Sequence, residues 1–161
     1  MKLYLLRHGE AEMSAASDAV RRLTGKGHSD VKSVARQFAR LDLVIDKCLC
    51  SPYVRARETA HTFLQSLEAD VVVEETAQLT PDTRANAVMD LLSSLAGSSG
   101  VLLVGHNPSM SELHALLTEG SLSQMHILGT GELVVISIDI IGLGMGTRTR
   151  KLLPGTSPQL D

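Results

Sequence analysis

A chain of 161 residues, 43% hydrophobic but 2% aromatic and without tryptophan, fits one domain with an aliphatic core and is too poor in rings to stack single-stranded bases. Its net charge of −3 argues against broad binding to nucleic acid or an anionic membrane, and no stretch nears the ~20 apolar residues of a membrane span. The charge is uneven: residues 1–60 carry 11 basic against 7 acidic side chains and residues 61–161 carry 4 against 11, so the cations gather early in the chain.

Leu3-Tyr4-Leu5-Leu6 is a short apolar run ending abruptly in Arg7-His8-Gly9, which reads as a buried strand running into a functional loop. The run is too short for the apolar region of a signal peptide. Residues 10–23 are polar and small. Leu23-Thr24-Gly25-Lys26-Gly27 opens a helix in which Val31, Val34, Ala35, Phe38 and Leu41 recur every three or four residues as a core-facing stripe. Leu43 to Cys50 is predicted as the second strand. Ser51-Pro52 then offers an N-cap and a first helical residue, for a helix reaching about Leu67. Val71 to Val73 is a third strand, and Asp82 or Thr83 starts a helix through Leu95. Val101 to Val104 is a fourth strand, ending in Gly105-His106-Asn107-Pro108, with Asn-Pro again set to open a helix. Glu132 to Ile141 and Thr147 to Leu153 are strands joined by the glycine-rich turn 142–146, and Arg148, Arg150 and Lys151 protect the exposed edge.

Strands alternating with helices predict an α/β fold, a three-layer α/β/α sandwich built as one domain over residues 1–161. The sheet is mostly parallel, with an antiparallel edge hairpin near the C-terminus. Cys48 and Cys50, two apart, point to one face of a strand but lie too close along the chain to bridge, so both are expected reduced and in the core, in a cytoplasmic protein.

Ligands of open α/β sheets bind beyond the carboxyl ends of the strands. That rule brings Arg7 and His8, the helix start bearing Arg55, and His106 to one rim, although they are far apart in sequence. Two arginines beside two histidines repel a metal cation and suit a phosphate, whose oxyanions match the guanidinium fork. No metal and no cofactor are expected, since no His/Cys/Asp cluster has ligand spacing. The helix after Ser51 aims its positive end at the same place. A neutral imidazole is a nucleophile that needs no separate base, so attack by His8 on phosphorus would give a phosphohistidine. Arg7 and Arg55 would then neutralise the equatorial oxygens, and a protonated His106 would add a donor.

Leu-Leu-Arg-His-Gly-Glu near the N-terminus, Ser-Pro-x-x-Arg-Ala-x-x-Thr-Ala at 51–60 and Gly-His-Asn at 105–107 resemble the histidine phosphatase superfamily, the phosphoglycerate mutase-like group, in order and spacing over nearly the whole chain. The run Ala15-Ala16-Ser17-Asp18-Ala19-Val20-Arg21, then Leu23-Thr24, and Leu79-Thr80-Pro81 are most similar to its short SixA-type phosphohistidine phosphatases. The resemblance implies His8 as phosphoacceptor, with Arg7, Arg55 and His106 as the rest of the phosphate pocket. It implies Arg21 as an outer phosphate or substrate contact, a role that competes with simple pairing to Asp18. A catalytic glutamate on a long insertion, common in larger relatives, has no room between Glu74 and Pro81; Glu12, Asp18 and Asp82 are the candidate acids, Asp82 doubling as a helix N-cap. Glu10 and Glu12 are equally open as loop residues or as groups orienting His8 or an arginine.

The leading expectation is a phosphatase acting on a phosphorylated histidine-containing protein, a phosphotransfer domain or carrier, with inorganic phosphate as product. The alternatives are a small-molecule phosphomonoesterase of the same superfamily and a phosphate-dependent binding module without turnover. His28, His61, His114 and His126, having no evident partners, read as structural or exposed.

Overall fold

The computed structural model describes residues 1–156. Its elements in chain order are β1 (Lys2–Arg7), α1 (Gly25–Phe38), β2 (Lys47–Cys50), α2 (Val54–Ser66), β3 (Val73–Glu75), α3 (Ala85–Ser93), β4 (Gly100–Gly105), α4 (Ser109–Glu119), β5 (Leu133–Ile138) and β6 (Gly146–Leu152). The strands form one sheet in the order β3-β2-β4-β1-β5-β6. Pairs β3/β2, β2/β4 and β4/β1 are parallel, and β1/β5 and β5/β6 are antiparallel. The α/β class, the largely parallel centre and the antiparallel C-terminal hairpin are therefore as the sequence predicts.

Strand alternation sorts the core. Tyr4 and Leu6 face one side of the sheet and pack with Val31, Val34 and Phe38 of α1 and Ala60 and Phe63 of α2. Leu3 and Leu5 face the other side and pack with Val88 and Leu92 of α3 and Met110 and Leu113 of α4. Each of these fully buried aliphatic side chains contributes about 1.5–3 kcal/mol. Ring–ring contacts Tyr4–Phe38 and Phe38–Phe63, at 4.9 and 5.5 Å between centroids, concentrate the few aromatics in one layer.

Register positions the site. Arg7 lies opposite Gly105, and Cys50 opposite Val104, so β1, β2 and β4 end at one level. The residues that follow, His8, Ser51 and His106, are thereby neighbours. The first turn of α1 is pressed against the segment after β1: Thr24 Oγ1 accepts the Gly27 N–H, and a Cβ on Gly27 would stand 2.2 Å from the Glu10 carbonyl oxygen. Only glycine permits that approach.

Several boundaries differ from the sequence reading, each because a polar group is engaged elsewhere. Residues 43–46 are loop rather than strand. There the Val44 carbonyl accepts the Tyr4 hydroxyl, and the Asp46 carboxylate accepts the N–H groups of Ser99 and Gly100. β3 forms two residues later than predicted, where Val73 to Glu75 pair with Cys48 to Cys50. Asp82 does not cap a helix: the hydroxyls of Thr80 and Thr83 both bond the Ala77 carbonyl, holding this segment in a turn, and α3 starts at Ala85. α4 starts at Ser109 because the Asn107 amide donates to the Leu128 carbonyl while its oxygen accepts the Ser111 hydroxyl.

Candidate active site

His8, the first residue after β1, is almost fully buried. Its Nδ1 lies 2.7 Å from the Gly9 carbonyl oxygen. A carbonyl only accepts, so Nδ1 carries the ring proton and Nε2 keeps its lone pair. Burial, opposed by the Gly9 bond and reinforced by the positive charges of Arg55, Arg7 and Arg21, pushes the His8 pKa from 6.5 down to about 4. The imidazole is neutral at pH 7 and ready to act as a nucleophile. The His8 loop is tied to α2 through Thr59, whose hydroxyl accepts the Gly9 N–H and donates to the Arg55 carbonyl.

The cations close around this ring. Arg7 donates Nη1 to the Leu128 carbonyl at 2.8 Å. Arg55, 5% exposed, donates Nη1 to the Asp18 carbonyl and Nη2 to the Asp18 carboxylate at 3.0 Å, and its guanidinium lies 5.0 Å from the Tyr53 ring centre. Arg21 bonds the other Asp18 oxygen at 2.8 Å and the Glu12 carbonyl at 2.6 Å. Arg21 thus pairs with Asp18 and also borders the cavity. Hydrogen bonds from Arg21 and then Arg55 hold the Asp18 carboxyl below the usual carboxylate range. Asp18 is accordingly an ionised orienting group and a poor proton donor.

Ser51 does not cap α2. Its hydroxyl accepts the Tyr53 N–H and contacts His106 Nε2 at 2.8 Å, and the helix starts at Val54 with no side-chain cap. Uncapped N–H groups and the positive helix end therefore remain for a ligand. The Ser51 hydroxyl holds the orientation of the His106 ring through Nε2. Burial first, with the positive charge of Arg55 adding to it, pushes the His106 pKa from 6.5 to about 3. The condition under which His106 adds a charged donor, protonation of the ring, is therefore disfavoured in this pocket. The rings of His8 and His106 are 5.0 Å apart.

These side chains border a cavity of about 330 Å³, which Arg7, His8, Arg21, Arg55 and His106 share with Glu10, Asn107, Thr130 and Pro81. Arg7 Nε, Arg55 Nε and His106 Nδ1 are buried without a partner among the described residues. Both ring nitrogens of His114, which does not line this cavity, share that condition, so it is the convergence of three arginines and two histidines on one cavity that suits an oxyanion. Glu12, Asp18 and Asp82 are not among the cavity's lining residues. Glu10 does line it, with a carboxylate oxygen held by the Thr24 hydroxyl at 2.9 Å. From the β3–α3 connection, Pro81 lines the cavity. Among the described residues no group of three or more His, Cys, Asp or Glu is placed to hold a metal ion.

The histidines outside the site include two with partners that the sequence reading missed: His28 Nδ1 meets Thr62 Oγ1 at 2.9 Å, and His126 Nε2 meets Glu132 at 2.6 Å. Cys48 and Cys50 are free and buried, and burial lifts their thiols to about 12 and 11. Lys151 of the edge strand reaches inward to within 3.6 Å of Glu132, so it does more than guard the edge.

Comparison with known proteins agrees with this geometry. The model of the histidine phosphatase superfamily (branch 1) matches residues 3–80. Phosphohistidine phosphatase SixA of Escherichia coli is 30% identical over 146 residues, 89% of either chain. The phosphohistidine phosphatase SixA homolog of Haemophilus influenzae is 38% identical over 127 residues, 73% of this chain and 77% of that one. The solved structure of the protein histidine phosphatase SixA complexed with tungstate superposes with a TM-score of 0.87 at 29% identity, covering 96% of this chain and 97% of that one.

Proposed function

The chain belongs to the histidine phosphatase superfamily, and we propose that it hydrolyses phosphohistidine on a protein through a covalent phospho-His8 intermediate. The observation that carries this reading is a buried, neutral His8 whose Nδ1–H is fixed on the Gly9 carbonyl, so that Nε2 is the free base among three arginines.

In the first step the His8 Nε2 lone pair attacks phosphorus, and the bond from phosphorus to the substrate imidazole breaks. Arg7 and Arg55 stabilise charge on the equatorial oxygens, assisted by His106. Asp18 aims Arg55 and Arg21 by bonding both. In the second step water attacks phospho-His8, the P–N bond breaks, and inorganic phosphate leaves with the imidazole restored.

The substrate class follows from what surrounds the cavity. An alkoxide leaving group requires a positioned acid. Glu12, Asp18 and Asp82 do not line the cavity and Asp18 is held ionised, while Glu10, the carboxylate that does line it, is already engaged by the Thr24 hydroxyl. A phosphohistidine ring protonated on its second nitrogen departs as neutral imidazole and needs no such donor. The β3–α3 connection has no room for a long insertion, which leaves the cavity open to a side chain projecting from a folded partner. The two related proteins named as phosphohistidine phosphatases point the same way.

The test is a comparison of kcat/KM on a histidine-phosphorylated phosphotransfer protein with kcat/KM on a panel of sugar phosphates and nucleotides. A clear preference for the protein is expected. A far higher value for a small phosphoester would replace this reading with that of a small-molecule phosphomonoesterase.

A further inference from the structure

Glu132 is 2% exposed and sits immediately before β5, yet the chemistry above does not use it. One carboxylate oxygen accepts the Gly129 N–H at 2.8 Å. The other lies 2.6 Å from His126 Nε2 and 3.6 Å from Lys151 Nζ. A carboxylate is buried this deeply only when several donors meet it. Here the donors come from the start and the middle of the turn 126–132 and from β6.

That turn is one wall of the phosphate cavity. Its Thr130 lines the cavity, and its Leu128 carbonyl receives Arg7 Nη1 at 2.8 Å and the Asn107 amide at 2.9 Å. The Gly131 N–H donates to the carbonyls of Arg7 and His8, and the Glu132 carbonyl accepts the Arg7 N–H. Gly131 itself takes φ +71, the left-handed conformation that turns the chain into β5. Arg7 is therefore held at backbone and guanidinium by a turn that the Glu132 carboxylate braces from within, beside the bonds from Ser111 and Asn107 to Leu128. The same carboxylate opposes the effect of burial on the Arg7 charge.

We propose that Glu132 is a positioning residue for the phosphate site: by cross-bracing the turn 126–132 it fixes the Leu128 carbonyl and, through it, the Arg7 guanidinium. This rests on the reading of the cavity as a phosphate site. Glu132 touches neither substrate nor His8 and acts through Arg7.

The test is a double-mutant cycle read by titration calorimetry with tungstate, with folding of each variant confirmed by thermal melting. Glu132→Gln in the wild-type background is expected to weaken tungstate binding about tenfold, the scale on which outer supporting groups and small displacements act. In an Arg7→Ala background the same change is expected to cost less than about twofold, because the group it positions is gone. A purely structural role would give the same loss in both backgrounds. Equal losses, or a folded Glu132→Gln that binds as wild type, would overturn the proposal. If Glu132→Gln does not fold, His126→Ala removes the shortest partner and leaves the carboxylate; a severalfold loss confined to the Arg7 background is then expected, and unchanged affinity overturns the brace. A wild-type chain that does not bind tungstate refutes the phosphate site and the brace together, whereas wild-type binding with an inert Glu132 refutes the brace alone.

Discussion

The two ends of the sheet use polar groups in opposite ways. At the amino ends of β1 and β4 they are paired: the Asp46 carboxylate takes two backbone N–H groups, the Tyr4 hydroxyl takes the Val44 carbonyl, and the Lys2 N–H takes the Ser99 carbonyl. At the carboxyl ends, Arg7, Arg55 and His106 each have a buried nitrogen without a partner among the described residues, and burial drives two histidines far below their ordinary pKa. The contrast separates a scaffold end from a working end built on the same strands.

The sharpest way to break the contrast is to alter the working end and find the scaffold affected instead. His8→Ala is expected to lower turnover at least ~1,000-fold, the order seen when a covalent nucleophile is removed, while the melting temperature holds or rises. Steady-state kinetics beside a thermal melt checks both halves. Arg55→Ala comes next: kcat/KM should fall roughly 100-fold, as for loss of one transition-state donor worth about 3 kcal/mol. Asp18 loses an ion-pair partner in that variant, so its carboxyl pKa should move back toward the ordinary range, which carbon NMR can follow.

The pH response sharpens the comparison further. His8 and His106 bind protons less readily in the folded chain than in the unfolded one, so unfolding takes up protons below about pH 6.5. Stability from these two groups is complete above about 6.5. It falls as the pH drops through the window toward about 4 for His8 and about 3 for His106. Denaturant titrations across this range should show that slope, and His8→Ala should flatten its share. Imidazole NMR between pH 6.5 and 5 should find both rings still neutral.

The smallest effect belongs to the scaffold end. Asp46→Ala removes the acceptor of two N–H groups and should cost about 1 kcal/mol of stability with kcat/KM unchanged. A large kinetic defect there would blur the distinction between the two ends.

What the sequence disclosed follows the same division. Strand-end motifs located Arg7, His8, Arg55 and His106, because parallel strands that finish at one level bring such residues together whatever their separation along the chain. Helix starts were misplaced where a capping residue had other work: Ser51 serves His106 and Asn107 serves Leu128, and no local spacing announces either. Asp18 could be suspected from Arg21 three residues on, but not as a link to Arg55, which is 37 residues away. Thr59 stood inside a noted motif, yet its bond to the Gly9 N–H depends on how α2 docks on the loop after β1. Glu132 was invisible as a functional residue, since its relation to Arg7 exists only through the antiparallel pairing of β1 with β5.

The central claim is that phosphate passes through His8, and trapping the intermediate tests it directly. A ³²P-phosphohistidine protein is mixed with the enzyme in a single turnover, and the reaction is quenched in alkali, where phosphohistidine survives. The account predicts transient label on the wild-type chain, mapped to the peptide containing His8 and absent from His8→Ala. Complete release of inorganic phosphate with no label on the enzyme at any time, or label that persists in His8→Ala, would contradict it.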